Sequence, residues 1–405
     1  MSKKAIMFVD DEPNILSGIK RMLRSMRKEY SFYFAESGKE ALGMMEDDPV
    51  DVVVSDMRMP GMDGAEFLTE VQSKFPLAIR IMLTGQADEE SILRTVNVVH
   101  QFLAKPCEPD NLKDVLARAG VLHDIMANSD LKELVSSIGS LPSLPSVYSQ
   151  LQEALKDPEV TADQVAEIIE KDIAMTAKLL QLVNSSFFGL FQKVESPGRA
   201  VKLLGLDTVK ILTLGVQIFD ELKISSPAVS LDYLWTHSFA VAHCSKAIAA
   251  EESDDIELIN DSFIAGMLHD IGRLLLLSKM GEGYGTLVNT VVDQELLLVD
   301  EESRALNASH GDIGAYLVGL WGFNGDIVEA VAFHNNLAGC PGDSFNAAVA
   351  VHAADSLYYQ FNPQESIGKT PTLDHGYLER VGCADKIASW SELCENIIRR
   401  DEDES

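Results

Sequence analysis

The chain has few cysteines and few basic residues, and each scarcity excludes a class of protein. Its five cysteines are scattered through 405 residues without a Cys-x-x-Cys pair. This pattern argues against a disulfide framework or a zinc knuckle and fits a reducing compartment. Lysine and arginine number 33 against 63 aspartates and glutamates, which gives a net charge of −30. A surface with this much negative charge repels the phosphate backbone of nucleic acids. We therefore expect protein or cation partners and no nucleic acid.

Long apolar runs and flexible linkers are also missing. No apolar run reaches the roughly 18 residues that a membrane span requires, so we expect no membrane partner. The first residues, Met1-Ser2-Lys3-Lys4, lead straight into a short strand instead of the apolar segment of a signal peptide. We therefore expect a cytoplasmic protein. The length predicts two or three domains, and no Gly/Ser-rich linker separates them.

Strands and helices alternate over about residues 1–127, the first predicted domain. Apolar runs predict five strands, with helical periods between them, at residues 5–9, 30–35, 50–56, 80–83 and 99–103. The run that ends at Asp56 is almost continuously apolar and β-branched, as in a strand buried on both faces of a parallel sheet. We therefore predict an α/β fold, a doubly wound five-stranded parallel sheet.

Polar residues stand at the carboxyl ends of these predicted strands. They are Asp10, Asp11, Asp56, Thr84 and Lys105. In open α/β sheets these ends face the ligand crevice, so the three carboxylates should converge and require a cation. A hard oxygen cluster suits Mg²⁺, and Lys105 adds a positive charge that can pair with a phosphoryl oxygen. An acyl phosphate on Asp56 would then be chemically reasonable.

The first domain resembles the receiver domain of two-component response regulators, which has a flavodoxin-like fold. The resemblance is carried by residues 8–12 (FVDDE), 55–64 (SDMRMPGMDG), 83–85 (LTG) and 105–106 (KP). It implies that Asp56 accepts a phosphoryl group from a sensor histidine kinase. It also implies that the chain passes a phosphorelay signal to an output domain.

The same resemblance assigns roles to the neighbours of Asp56. The residues that hold Mg²⁺ would be Asp10, Asp11, Asp56 and Arg58, the last through its backbone carbonyl. The residues that contact the phosphoryl group and form the switch would be Thr84, Phe102 and Lys105.

Residues 141–362 show almost only helical periods and predict a second, all-helical domain. A junction over residues 128–140, which we expect to be helical, joins the two domains. Residues 363–405 should form a C-terminal helical extension with an acidic tail. Residues 289–308 are predicted to be one helix with an acidic face near Asp300-Glu301-Glu302.

Histidines and carboxylates interrupt the apolar helices of this second domain. They are His237, His269, Asp270, His310, His334 and Asp355. Such groups need partners or a metal, and metal sites in helical bundles are built from facing helices. A single histidine of this kind is more often a core residue with a hydrogen-bond partner, so the spacing alone leaves both interpretations open.

The helical domain resembles an HDOD domain, a relative of the HD-type phosphohydrolases that is usually regarded as a signalling or scaffolding module. The resemblance is carried by residues 169–172 (IEKD), 179–189 (LLQLVNSSFFG), 200–206 (AVKLLGL), 266–272 (GMLHDIG) and 310–334. In the related HD-GYP phosphodiesterases, residues that match these six histidines and aspartates bind metal. The resemblance thus implies that they could hold Fe or Mn.

Three departures from the HD-GYP pattern weigh against catalysis. Arg273 replaces a lysine, His334-Asn335-Asn336 replaces His-His-Glu, and Gly339-Cys340-Pro341-Gly342 replaces Gly-Tyr-Pro. We therefore expect a non-enzymatic output that signals to a downstream protein. Two alternatives remain: a receiver-gated, metal-dependent phosphodiesterase that acts on a cyclic dinucleotide, and an assembly platform whose receiver drives homodimerisation.

Overall fold

A computed structural model describes most of the chain. The described residues are 3–84, 95, 98–105, 112–113, 115–116, 132, 135, 141–143, 145–157, 159–184, 194, 196–210, 219–221 and 231–404. Most of the predicted junction over 128–140 lies outside them, with only Lys132 and Val135 included. Among the described residues, no helix is both long and apolar enough to cross a membrane.

The N-terminal part contains a five-stranded sheet in which every neighbouring pair of strands is parallel. The strands are β1 Lys4–Val9, β2 Tyr30–Ala35, β3 Val52–Asp56, β4 Ile79–Thr84 and β5 Gln101–Ala104. Their order across the sheet is β2-β1-β3-β4-β5, the doubly wound order whose switch point lies between β1 and β3. The predicted α/β fold is therefore confirmed.

Helices cover both faces of this sheet. The described helices are α1 Pro13–Met22, α2 Gly38–Asp47 and α3 Gly64–Lys74, and a 3₁₀ helix, Leu23–Lys28, follows α1. Val52 and Val54 of β3 belong to one apolar core, and Val53 belongs to a second. Successive side chains of a strand point to opposite faces, so β3 is buried on both, as its unbroken apolar run predicts.

The C-terminal part is helical, which confirms the second half of the predicted fold. Its helices are α4 Pro145–Ala154, α5 Ala162–Ile169, α6 Ile173–Val183, α7 Pro197–Leu204, α8 Leu206–Lys210, α9 Leu231–Glu252, α10 Ile256–Leu268, α11 Ile271–Met280, α12 Glu282–Asp293, α13 Leu298–Leu306, α14 His310–Leu320, α15 Gly325–Phe333, α16 Ala347–Phe361, α17 His375–Arg380 and α18 Ile387–Glu404. Short 3₁₀ turns are Leu337–Gly339, Pro363–Glu365 and Ala384–Lys386.

Three local features differ from the sequence-based predictions. Two short strands, β6 Leu141–Ser143 and β7 Phe219–Glu221, pair in parallel within the otherwise helical part. Residues 289–308 are not one helix, because α12 ends at Asp293 and α13 begins at Leu298. Glu295, between the two helices, has a φ of 51°, which a residue within a helix does not adopt. The last helix, α18, includes most of the predicted acidic tail.

The sheet and the helices share one continuous apolar cluster and are joined by polar contacts at β5. Gln101 Nε2 donates to the carbonyl oxygens of Gly319 at 3.2 Å and Leu320 at 3.1 Å, at the end of α14. Gln181 of α6 donates in turn to the carbonyl oxygen of His100 at 3.2 Å. The edge strand of the sheet therefore holds the end of a helix of the second domain.

Candidate functional site

The carboxyl edge of the sheet brings together the polar residues that the strand pattern placed there. Asp10 follows β1, Asp56 ends β3, Thr84 ends β4 and Lys105 follows β5. Lys105 Nζ lies 2.5 Å from Asp56 Oδ1 and 2.8 Å from Asp10 Oδ2. Oxygen atoms of Asp10, Asp11 and Asp56 lie within 4.8 Å of one another. The predicted crevice therefore has its three carboxylates in place.

Among the described residues, negative charges outnumber positive charges in this crevice. Burial raises the pKa of Asp56, Lys105 lowers it, and Asp10 raises it again. Burial lowers the pKa of Lys105, but its hydrogen bonds to Asp10 and Asp56 outweigh that effect and hold the pKa above its usual value. One lysine faces three carboxylates, and this oxygen set fits a hard divalent cation such as Mg²⁺.

The remaining predicted residues of the crevice surround Asp56. The backbone N–H of Arg58 donates to Asp56 Oδ2 at 3.2 Å, while the Arg58 side chain is exposed. Thr84 Oγ1 is buried and has no hydrogen-bond partner among the residues that the structure describes. Phe102 is packed in the apolar core on β5. The hydroxyl group of Thr84 is thus available to a phosphoryl oxygen.

The six residues predicted as metal ligands in the helical part also converge, from five different helices or their ends. They are His237 on α9, His269 and Asp270 between α10 and α11, His310 at the start of α14, His334 just after α15, and Asp355 on α16. Every one of the six is buried. A Cβ atom on Gly272 would lie 2.0 Å from the carbonyl oxygen of His310, so glycine is required where α11 packs against α14.

One half of this cluster has the spacing of ligands around a single ion. The Nε2 atoms of His237 and His269 are 3.1 Å apart. Asp355 Oδ1 lies 3.1 Å and 3.8 Å from these two nitrogens. Asp270 Oδ2 lies 3.7 Å and 3.5 Å from them. Ligands at about 2.1 Å from a tetrahedral ion are about 3.4 Å from one another, which these distances bracket.

The other half is built on the second oxygen of Asp270. Asp270 Oδ1 lies 3.4 Å from His310 Nε2 and 3.8 Å from His334 Nε2, and these two nitrogens are 3.3 Å apart. Within the described part of the chain, neither Asp270 Oδ1 nor Asp355 Oδ1 accepts a hydrogen bond. Buried carboxylate oxygens without donors are costly unless a cation joins them, so the cluster fits a metal.

Backbone carbonyls fix the orientation of two of the imidazoles. Nδ1 of His269 lies 2.6 Å from the carbonyl oxygen of Gly266, and Nδ1 of His334 lies 2.8 Å from that of Val331. A carbonyl oxygen only accepts, so each ring donates from Nδ1 and turns the lone pair of Nε2 into the cluster. Burial lowers the pKa of His269 to about 3 and that of His334 well below its usual value, so both rings are neutral at pH 7.

Glu302 is a member of this site that the sequence did not predict. It is fully buried on α13, 2.6 Å from His310 Nδ1, and it accepts the backbone N–H of His310 at 2.9 Å. Tyr284 donates to its other oxygen, and burial raises the pKa of Glu302 to about 7. In the sequence Glu302 belongs to an acidic run. The available signal was its position four residues after the apolar Leu298, on the same helix face.

Two of the departures from the HD-GYP pattern lie inside the cluster. Arg273 Nη1 is 2.7 Å from Asp270 Oδ2. Burial lowers the pKa of Arg273, but Asp270 together with Tyr359 and Tyr284 outweighs this effect and holds the pKa above its usual value. Asn335 Nδ2 is 2.8 Å from His310 Nε2 and 2.6 Å from His334 Nε2. Both residues also line a cavity of about 130 Å³, to which residues between 366 and 372 contribute as well.

Comparisons with known proteins identify both parts of the chain. A family model for the response regulator receiver domain matches residues 6–117, and a model for the HDOD domain matches residues 141–337. The chain carries a receiver domain and an HDOD domain. The receiver match includes every residue of the Asp56 crevice. The HDOD match includes the four histidines and Asp270, whereas Asp355 lies beyond its end.

Relatives of this response regulator share parts of it. An uncharacterized protein of Treponema pallidum is 26% identical over 263 residues, which are 63% of this chain and 50% of the relative. The hydrogenase transcriptional regulatory protein HoxA of Cupriavidus necator is 35% identical over 116 residues, 28% of this chain and 23% of HoxA. The chain thus spans half or less of the length of these relatives.

A solved structure similar to this response regulator is that of the MmoQ response regulator from Methylococcus capsulatus. It is 22% identical and covers 63% of this chain and 98% of its own, with a TM-score of 0.47.

Proposed function

We propose that this response regulator is a phosphorylation-dependent switch whose output is a protein contact. Asp56 accepts a phosphoryl group from a histidine kinase in the presence of Mg²⁺, and the HDOD domain passes the signal to a downstream protein. The observation that carries the proposal is Lys105, which bridges Asp56 and Asp10 at hydrogen-bond distance. At the same edge of the sheet, the hydroxyl group of Thr84 has no hydrogen-bond partner among the described residues. This arrangement supplies an acceptor and two donors to one phosphoryl group.

The side chains of the crevice have separate roles in the transfer. A carboxylate oxygen of Asp56 attacks phosphorus, an O–P bond forms, and the P–N bond to the imidazole of the kinase breaks. Lys105 then pairs with a phosphoryl oxygen in place of Asp56, and Thr84 Oγ1 donates to another. Mg²⁺ bound by Asp10, Asp11, Asp56 and the carbonyl of Arg58 would neutralise charge on the phosphoryl oxygens.

Strand β5 connects this crevice with the HDOD domain. Phe102, the predicted switch residue, lies three residues before Lys105 and directly after Gln101. The side chain of Gln101 donates hydrogen bonds to the last two carbonyl groups of α14. The first residue of α14 is His310 of the buried cluster, about 15 Å away at 1.5 Å per residue. A shift of β5 would therefore move α14 as a rigid element and reach the cluster.

A phosphoryl mimic should change hydrogen exchange in α14, and Gln101→Ala should remove this change. Beryllofluoride bound at Asp56 would displace β5, and without Gln101 the displacement no longer reaches Gly319 and Leu320. The measurement is amide hydrogen exchange of peptides from residues 310–320 with and without beryllofluoride.

The matched control is Gln72→Ala on α3 of the receiver domain, which should respond as the native chain does. Binding of beryllofluoride must persist in Gln101→Ala, which exchange near Asp56 reports. An unchanged response of α14 in a Gln101→Ala chain that binds beryllofluoride would contradict the proposed route.

The size of the cavity beside the cluster favours a protein contact over turnover of a cyclic dinucleotide. Its volume of about 130 Å³ compares with roughly 300–1,000 Å³ for the pockets that hold small-molecule ligands. The net charge of −30 also repels an anionic substrate. These two observations support the signalling output.

A metal-dependent phosphodiesterase is the second candidate, and the convergence of the six buried ligands favours it. The test is hydrolysis of a cyclic dinucleotide and of bis(4-nitrophenyl) phosphate by chain loaded with Mn²⁺ or Fe²⁺. Turnover that disappears in His269→Ala would favour the phosphodiesterase over the signalling output. Absence of turnover in the metal-loaded chain would support the signalling output.

A further inference from the structure

Asn335 occupies the place that the second ion of a two-ion centre would need. An ion held by His310 and His334 would lie about 2.1 Å from both Nε2 atoms. The Asn335 amide nitrogen stands 2.8 Å and 2.6 Å from the same two atoms. An NH₂ group has two hydrogens, so it satisfies both lone pairs at once. In this half of the cluster a side chain of the protein already does what a metal ion would do.

The fixed charges also fit one ion better than two. Asp270, Asp355 and Glu302 contribute up to three negative charges, and Arg273, buried beside Asp270, returns one positive charge. One divalent cation would bring these groups close to neutral, and two would leave at least two positive charges. Buried charge without compensation is strongly unfavourable, so Arg273 makes a second cation difficult to accommodate.

In the other half of the cluster the protein pairs only part of the ligand set, since Arg273 Nη1 lies 2.7 Å from Asp270 Oδ2. The four ligand atoms of this half are the Nε2 atoms of His237 and His269, Asp355 Oδ1 and Asp270 Oδ2. The two nitrogens are 3.1 Å apart, and each lies between 3.1 and 3.8 Å from the two oxygens. Asp355 Oδ1 accepts no hydrogen bond from the residues that the structure describes. An ion placed among these four atoms would satisfy a buried oxygen that otherwise has no donor.

We propose that the HDOD domain does not fit the two-ion centre that its resemblance to the HD-GYP phosphodiesterases implies, because Asn335 closes the position between His310 and His334. Only the position among His237, His269, Asp270 and Asp355 then stays open to an ion. Imidazole-rich ligand sets suit Mn²⁺, Fe²⁺, Co²⁺ or Zn²⁺, whereas Mg²⁺ takes oxygen ligands. His310 and His334 serve as acceptors for the Asn335 amide. The inference does not depend on phosphorylation of Asp56, so either can fail without the other.

The test is metal stoichiometry in the full-length chain. Chelator-treated protein is dialysed against Co²⁺ with Mg²⁺ in large excess, which keeps the all-oxygen receiver site filled, and bound cobalt is measured by mass spectrometry. We expect one Co²⁺ per native chain, with the strong visible absorption of four-coordinate cobalt, and none in His237→Ala. Asn335→Ala should bind two, and a His310→Ala change in that background should return the number to one.

The control is Asn336→Ala, the exposed neighbour of Asn335, which should bind one ion. Circular dichroism of every variant shows whether it is folded. Two ions in the native chain, or one ion in a folded Asn335→Ala variant, would overturn the role of Asn335. A folded native chain without cobalt, or a single ion that survives His237→Ala, would overturn the metal site itself.

Discussion

Asp56→Asn should abolish phosphoryl transfer to this chain, whereas the native chain should take up one phosphoryl group from acetyl phosphate or a histidine kinase. An amide oxygen is a poor nucleophile and cannot form the acyl phosphate, so we expect complete loss instead of a slower reaction. Lys105 would keep Asp10 as a partner at 2.8 Å, so the crevice should keep its shape in the variant. The loss of phosphoryl transfer would then result from the missing carboxylate and not from unfolding of the domain.

The measurement is intact-protein mass spectrometry after incubation with Mg²⁺ and the phosphodonor, with and without hydroxylamine, which cleaves acyl phosphates. Asp47→Asn, an exposed aspartate at the end of α2, is the matched control and should label fully. Removal of Mg²⁺ with a chelator should prevent labelling of the native chain. Equal labelling of Asp56→Asn and native chain would show that the acceptor is another residue.

The receiver crevice could be predicted from the sequence because its signals are local. Each of its residues stands at or just after the end of an apolar run, and parallel strands bring such ends to one edge of a sheet. The continuous run before Asp56 also identified a strand covered on both faces, which the division of Val52 and Val53 between two cores confirms. No knowledge of helix packing was needed for this part.

The HDOD cluster could not be predicted in the same way. Helical periods gave the buried faces, but the meeting of His237, His310 and Asp355 depends on how α9, α14 and α16 cross, which no local pattern encodes. The polar interruptions of the apolar helices identified the six residues, and the resemblance to HD-type proteins implied that they belong to one site. Neither signal identified Glu302. Glutamate side chains are usually exposed to solvent, but Glu302 on α13 is buried because it packs against His310 in the folded chain.

The sequence also did not predict the two short strands or the roles of the residues that depart from the HD-GYP pattern. β6 and β7 have three residues each and are separated by most of a domain, so they show no period that could be recognised. Arg273 and Asn335 were noted as departures that weaken catalysis. The structure gives them positive roles, since one pairs with Asp270 and the other donates to His310 and His334.

In the native chain, the stability of the HDOD domain should rise as the pH increases from about 7 to about 10, and Lys178→Met should remove this rise. Lys178 is 2% exposed on α6, and burial lowers its pKa to about 7. Its ammonium group lies 5.2 Å from the ring centroid of Trp321. Methionine keeps a side chain of similar length and removes the group that titrates, so the variant should not share this pH dependence.

The difference in stability between the two chains should depend on pH in a defined way. The unfolded lysine titrates near pH 10.4, so a pKa of about 7 in the folded chain corresponds to a change of about 5 kcal/mol across this range, at about 1.36 kcal/mol per pH unit. Between the two pKa values the unfolded chain binds more protons, so the stability of the native chain rises with pH. The native chain should therefore gain about 2 kcal/mol relative to the variant between pH 7.5 and pH 9, and the difference should become constant above about pH 11.

Calorimetric unfolding of both chains at pH 6, 7.5 and 9 measures this difference, with the HDOD transition followed separately because a two-domain chain does not unfold in one step. The matched control is Lys171→Met, an exposed lysine just before α6, whose effect should be small and independent of pH between 6 and 9. A difference between the two chains that stays constant across the three pH values would show that Lys178 titrates normally and would contradict the prediction.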